Sequence, residues 1–124
     1  MDLPERRDIF FVYLNGDRLY TEKGTNLYVY ALSNLSSPIA SYPLGNRCYS
    51  GIITENRVYL GGRKKLHIFE VTDSITQPLI LVKVIATESE INKILREAHD
   101  LLLGQDSGFL EVFDIKTSTI TSSH

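Results

Sequence analysis

The chain has 124 residues, a formal net charge of −2, and 43% hydrophobic against 23% charged residues. That length suits one domain with its own core, and the ordinary composition does not favour a disordered chain. The small net charge supplies no field for nucleic acid, and no apolar run approaches the ~20 residues of a membrane-spanning helix.

The N-terminal stretch MDLPERRDIFF carries charges through residue 8 and has no small-residue cleavage site, so it does not read as a secretory signal. A single cysteine, Cys48, has no partner for an internal disulfide, which fits a reducing compartment. The expectation is a cytoplasmic protein, in which the sequon Asn34-Leu35-Ser36 is an unmodified polar turn.

In chain order, residues 1–8 form a polar lead-in, and Ile9 to Leu14 (IFFVYL) has the continuous apolar character of a strand buried on both faces. Asn15-Gly16-Asp17 is a strong turn signal. Leu19 to Thr21 continues as strand, Lys23 to Asn26 turns, and LYVYAL (27–32) is the next strand. Ser33 to Pro38 is a polar loop. Ile39 to Leu44 is a short strand that Pro43 confines to an edge. A second unit follows with strand Tyr49–Thr54, turn Glu55-Asn56, strand Val58–Leu60 and strand Leu66–Val71. Between those last two, Gly61-Gly62 sits where a hairpin turn needs positive φ. After the loop Thr72–Pro78 comes LILVKVI (79–85). The third unit starts near Ile91 and includes FLEVFDI (109–115); the Ser/Thr-rich tail from Lys116 begins a further strand or frays.

The segment around residues 88–98 carries two signals. Thr87-Glu88-Ser89-Glu90 followed by Ile91, Ile94, Leu95 and Ala98 has a capping box and helical spacing. Repeat register instead makes Ile91–Arg96 the counterpart of Tyr49–Thr54, and agreement between levels favours the strand.

The repeat is quantitative. Leu27 and Leu66 lie 39 residues apart, and Leu66 and Leu110 lie 44 apart. Leu19, Val58 and Leu102 each precede those leucines by 8 residues, and Pro38 and Pro78 recur in the loops. A period near 40–45 residues with four strands per unit is that of a propeller blade.

On these residues the chain resembles a β-propeller of the WD-repeat type, over residues 9–115. Phe69-Glu70 and Phe113-Asp114 stand where that family places Trp-Asp, with Tyr30-Ala31 a third copy. There is no Trp and no Gly-His pair, so the family's Asp–His–Ser–Trp network does not transfer. The resemblance implies an all-β fold of antiparallel four-stranded blades: an incomplete ring in one chain, with units of approximately 9–44, 49–85 and 91–124. It also implies a rigid, non-catalytic platform that binds a protein or peptide partner. Propellers typically have 4–8 blades. Three would leave open edges, closed by a homodimer forming a six-bladed ring, by the rest of a larger multidomain propeller protein, or not at all.

Chemistry is sparse. His67, His99 and His124 are far apart in sequence and no Cys/His spacing suits zinc. No nucleophile, metalloprotease or P-loop motif occurs. No cofactor and no enzymatic activity are expected, a propeller-type enzyme being the minor alternative. Candidate partner-binding loops are Asn15 to Asp17 and Glu55 to Arg57 at one end, and Arg63, Lys64 and Lys65 at the other. The last three have the charge to hold a phosphate or acidic peptide, although a solvated hairpin tip is the simpler reading.

Overall fold

In a computed structural model, residues 12–124 are described, and within them the chain forms twelve strands in three four-stranded antiparallel sheets. Sheet I contains β1 (Val12–Asn15), β2 (Arg18–Lys23), β3 (Asn26–Ala31) and β4 (Ala40–Pro43). Sheet II contains β5 (Cys48–Thr54), β6 (Arg57–Gly62), β7 (Lys65–Val71) and β8 (Leu79–Ala86). Sheet III contains β9 (Ile91–Glu97), β10 (Asp100–Gln105), β11 (Leu110–Asp114) and β12 (Thr119–Ser123). Each sheet is a meander in which neighbours in sequence are neighbours in space. No helix among the described residues is long and apolar enough to cross a membrane.

Register makes the three sheets superimposable by residue. The first hairpin of each closes through two residues, with Asn15 opposite Arg18, Thr54 opposite Arg57 and Glu97 opposite Asp100. Counting from those pairs, Tyr20, Tyr59 and Leu102 are equivalent, as are Leu27, Leu66 and Leu110. Tyr30, Phe69 and Phe113 also coincide, lying opposite Leu19, Val58 and Leu101. The constant 8-residue offset therefore needs correction in the third unit. Leu101, not Leu102, matches Leu19 and Val58, because a 3₁₀ turn at Asp106–Gly108 lengthens the second hairpin there by one residue.

Side-chain alternation puts half of each strand on either face. Tyr20, Leu27 and Val29 of sheet I meet Val58, Leu60 and Phe69 of sheet II, with Cys48 and Leu79 filling the same cluster. On the far side, Tyr59, Leu66 and Ile68 meet Ile91, Leu101, Leu103 and Phe113 of sheet III. The middle sheet is thus covered on both faces, which is why β6 and β7 are nearly continuous apolar runs.

Several expectations change. Residues 9–11 of the first apolar run lie outside the described residues, and Tyr13 and Leu14 are 37% and 56% exposed rather than buried on both faces. They belong to an edge strand, paired on one side by β2. Gly61 and Gly62 lie inside β6, and the turn is Arg63-Lys64, with Lys64 at φ 58°. The glycines are needed for space: a Cβ on Gly61 would lie 2.5 Å from Ile91 Cγ2, and one on Gly62 would lie 2.7 Å from the Arg47 carbonyl. Segment 91–97 is a strand, as register requires. Its helical spacing comes from a bulge: Gly104 pairs with Lys93 but Gln105 with Ile91, so the extra Asn92 returns Ile91 to the face of Ile94. The tail supplies the fourth strand of sheet III.

Candidate functional site

The first turns of the three sheets have unlike sequences, but each places its first residue at positive φ. Gly16 adopts φ 63°, Glu55 and Asn56 adopt 53° and 61°, and Ala98 adopts 54°. These are left-handed backbone conformations of the kind that two-residue hairpins use. Beyond each turn the second strand opens with Arg18-Leu19-Tyr20, Arg57-Val58-Tyr59 or Asp100-Leu101-Leu102. Arg18 with Tyr20, and Arg57 with Tyr59, line clefts between adjacent sheets.

The cleft between sheets I and II has a volume of about 190 Å³ and is lined by Asn15, Asp17, Arg18 and Tyr20 on one side and Val71 to Asp73 on the other. Its arginine is engaged by backbone oxygens, while the buried Tyr20 hydroxyl has no hydrogen-bond partner among the described residues. Arg18 donates through Nη1 to the Thr72 carbonyl at 2.9 Å, and through Nη2 to those of Asp73 and Ser74 at 3.4 and 3.2 Å. The loop that presents these oxygens is stiffened by its own side chains. Thr72 Oγ1 donates to the Gln77 carbonyl at 2.6 Å and accepts from the Ser74 amide at 3.1 Å.

The cleft between sheets II and III is about 380 Å³, lined by Glu55, Arg57, Tyr59 and Glu70 from sheet II and Ile115, Lys116 and Ser118 from sheet III. Arg96 of β9 engages the turn that carries Glu55. It pairs with Glu55 at 3.1 Å, donates to the Ala98 carbonyl at 2.8 Å and bonds the Thr54 hydroxyl. Tyr59 is fully buried and stacks edge-on with Phe113, ring centroids 6.0 Å apart. Its hydroxyl lies near the Arg57 guanidinium without forming a well-aligned hydrogen bond. Burial pushes the phenol above its ordinary pKa, and Arg57 opposes that rise.

The structure therefore brings Asn15 and Asp17 into one cleft and Glu55 and Arg57 into the equivalent one. Arg63, Lys64 and Lys65 stand exposed at the opposite ends of β6 and β7, apart from both clefts. The Lys64 carbonyl accepts from the Thr87 amide at 3.0 Å, which ties the tip to the strand crossover. Sequence reading passed over Arg18, Tyr20, Tyr59 and Lys116. The repeated Arg-x-Tyr, 39 residues apart, was the available signal. It also passed over a buried polar cluster in sheet III. There Gln105 Nε2 donates to Glu111 Oε1 at 2.7 Å, and Gln105 Oε1 accepts from the Ser89 amide at 2.8 Å. Glu111 further accepts from the Glu88 amide at 3.0 Å and from Ser123 Oγ at 3.2 Å. The cluster fastens the crossover before β9 to three strands, a structural task.

Two other reactive side chains are buried. Burial, then the Glu22 charge, pushes the Cys48 thiol up to about 12, so it stays protonated and inert. Burial lowers the His67 pKa; the Leu44 backbone opposes that shift and Lys65 adds to it. No group of three His, Cys, Asp or Glu side chains is gathered for a metal ion among the described residues.

No family model matches the chain, and neither does any curated protein. Solved structures do match in fold. The computationally designed Ika8 protein superposes with a TM-score of 0.73 at 13% identity, over 94% of this chain and 36% of that one. The Neurospora crassa Pan2 WD40 domain gives 0.72 at 14% identity, over 94% and 35%. The computationally designed Ika4 protein gives 0.73 at 13% identity, over 94% and 71%. The chain thus spans about a third of the length of the first two structures. Its three antiparallel sheets are about three blades of a WD-repeat-like β-propeller, an incomplete ring.

Proposed function

We propose that this chain is a non-catalytic interaction module of the cytoplasm that holds a protein or peptide partner on the turns at the ends of its blades. The observation that carries this reading is the pair of equivalent clefts, each set between stacked blades at the same end and lined by charged turn residues. Rigid blades hold such loops in fixed positions, and loops on a rigid scaffold are where binding residues concentrate. Asn15, Asp17, Glu55 and Arg57 would serve at that end, and Arg63, Lys64 and Lys65 at the other. The test is affinity capture on the purified chain, followed by titration of each captured and purified protein against wild type and loop variants. A partner bound by wild type and weakened by glutamine at these positions supports the reading. Turnover in a broad hydrolase screen, or a stoichiometric metal in the purified chain, overturns it.

A homodimer closing a six-bladed ring has one observation in its favour. Leu102, Leu110 and Val112 occupy the positions of Tyr59, Leu66 and Ile68, which blade III covers in blade II, yet they remain half-exposed beside Leu95, which is 51% exposed. Light scattering decides it: twice the chain mass supports closure by a second copy, and a stable monomer removes it.

A further inference from the structure

The two clefts are built on the same plan but completed differently. In the first, the Arg18 guanidinium donates to three carbonyl oxygens of the loop after β7. Arg57 stands in the equivalent place in the second cleft, facing the turn after β11. That turn is shorter and folds back on itself. The amides of Lys116 and Thr117 donate to Asp114 Oδ1 at 2.8 and 3.4 Å, and the Ser118 amide to the Asp114 carbonyl at 2.8 Å.

Counted from the paired residues Glu70 and Asp114, Lys116 replaces Thr72 and Ser118 replaces Ser74. A cation has thus taken the place of one residue that presents its carbonyl to Arg18. The carbonyl of Ser118, which matches another of those acceptors, is already taken by Lys83 Nζ at 3.0 Å. Among the described residues Arg57 forms no ion pair, even with Glu70 directly across the hairpin, and Glu55 is engaged by Arg96. The buried Tyr59 hydroxyl, which has no hydrogen-bond acceptor, lies in the same cleft.

We propose that the cleft between the second and third blades binds a carboxylate side chain from an acidic segment of the partner, held between Arg57 and Lys116 with the Tyr59 hydroxyl donating to it. A carboxylate supplies the acceptor oxygens that the loop after β7 gives Arg18, and its charge matches Arg57 and Lys116, neither of them ion-paired among the described residues, in a cleft that Glu70 also lines. In the first cleft the buried Tyr20 hydroxyl is likewise unpartnered, but backbone oxygens already engage Arg18 and, among the described residues, no lysine stands opposite it. This inference rests on the interaction-module reading and adds the chemistry of what is recognised.

The test uses the full chain and a fluorescein-labelled hexaglutamate peptide, read by anisotropy at low and moderate salt, with hexaglutamine and hexalysine as controls. Saturable, salt-sensitive binding of hexaglutamate alone is expected. Arg57→Gln and Lys116→Gln should each weaken it roughly tenfold, the loss of one charge-assisted hydrogen bond, and Lys93→Gln, at an exposed position of β9 outside both clefts, should leave it unchanged. Melting curves confirm that each variant is folded. Two results overturn the inference: no hexaglutamate binding, or binding that Arg57→Gln and Lys116→Gln leave as tight as in the wild-type chain. Both leave the interaction reading standing if a captured partner still binds the wild-type chain. If capture also fails, that reading falls too.

Discussion

Phe69 and Phe113 occupy the same place in successive blades, one facing blade I and the other facing blade II, and both are buried. Phe69 also meets the Tyr42 ring, with centroids 5.6 Å apart. Replacing either with alanine should destabilise the fold by about 3–5 kcal/mol, the usual cost of a cavity left by a buried phenylalanine, and urea melts of both variants measure it. His67 makes a different prediction. Its pKa is lowered by burial, so the unfolded chain binds a proton on that ring more readily than the folded chain does. Its contribution to stability is therefore full above the unfolded value near 6.5 and is lost as pH falls below it. Melting temperature should fall between pH 7.5 and pH 5.5, and His67→Gln should flatten that part of the profile; a parallel profile would assign the decline to other groups.

Gly61 shows how an element is shaped by its neighbour in the stack. Its missing side chain admits Ile91 from the next blade, so Gly61→Ala should cost about 1–3 kcal/mol by overpacking. Much of that cost should disappear when Ile91 is shortened to alanine in the same chain, a coupling that a double-mutant cycle reads directly. This pair also marks where the sequence was legible and where it was not. The hairpins, the blade period and the equivalence of Phe69 with Phe113 follow from local alternation and spacing. The role of Gly61 depends on a residue 30 positions away, and a glycine pair beside basic residues resembles a turn until that contact is known. Asn92 misleads in the opposite sense, because its bulge converts strand alternation into helical spacing. The clefts were half legible: their turns announced themselves, but Lys116 joins Arg57 only through blade stacking. One element remains unusual. The outer strand β8 exposes Ile80, Leu81, Val82 and Val84 on a sheet edge, an arrangement that invites edge-to-edge association. Val82→Lys should raise the concentration at which the chain first scatters light, with little change in melting temperature.

At the scale of the molecule, each blade presents two unlike faces. One carries Tyr20 or Tyr59 and the other carries Val58 with Phe69, or Leu101 with Phe113, so every junction joins dissimilar surfaces in the same sense. Stability in such an array is approximately a sum over nearest-neighbour junctions. Blade II takes part in two junctions among the described blades, whereas blade III presents a half-exposed face beyond its one. The array should therefore loosen from the exposed side of blade III inwards. Native-state hydrogen exchange would reveal it as a gradient, with the amides of β6 and β7 slowest, those of β10 and β11 opening earlier, and a ligand seated between blades II and III drawing the two rates together.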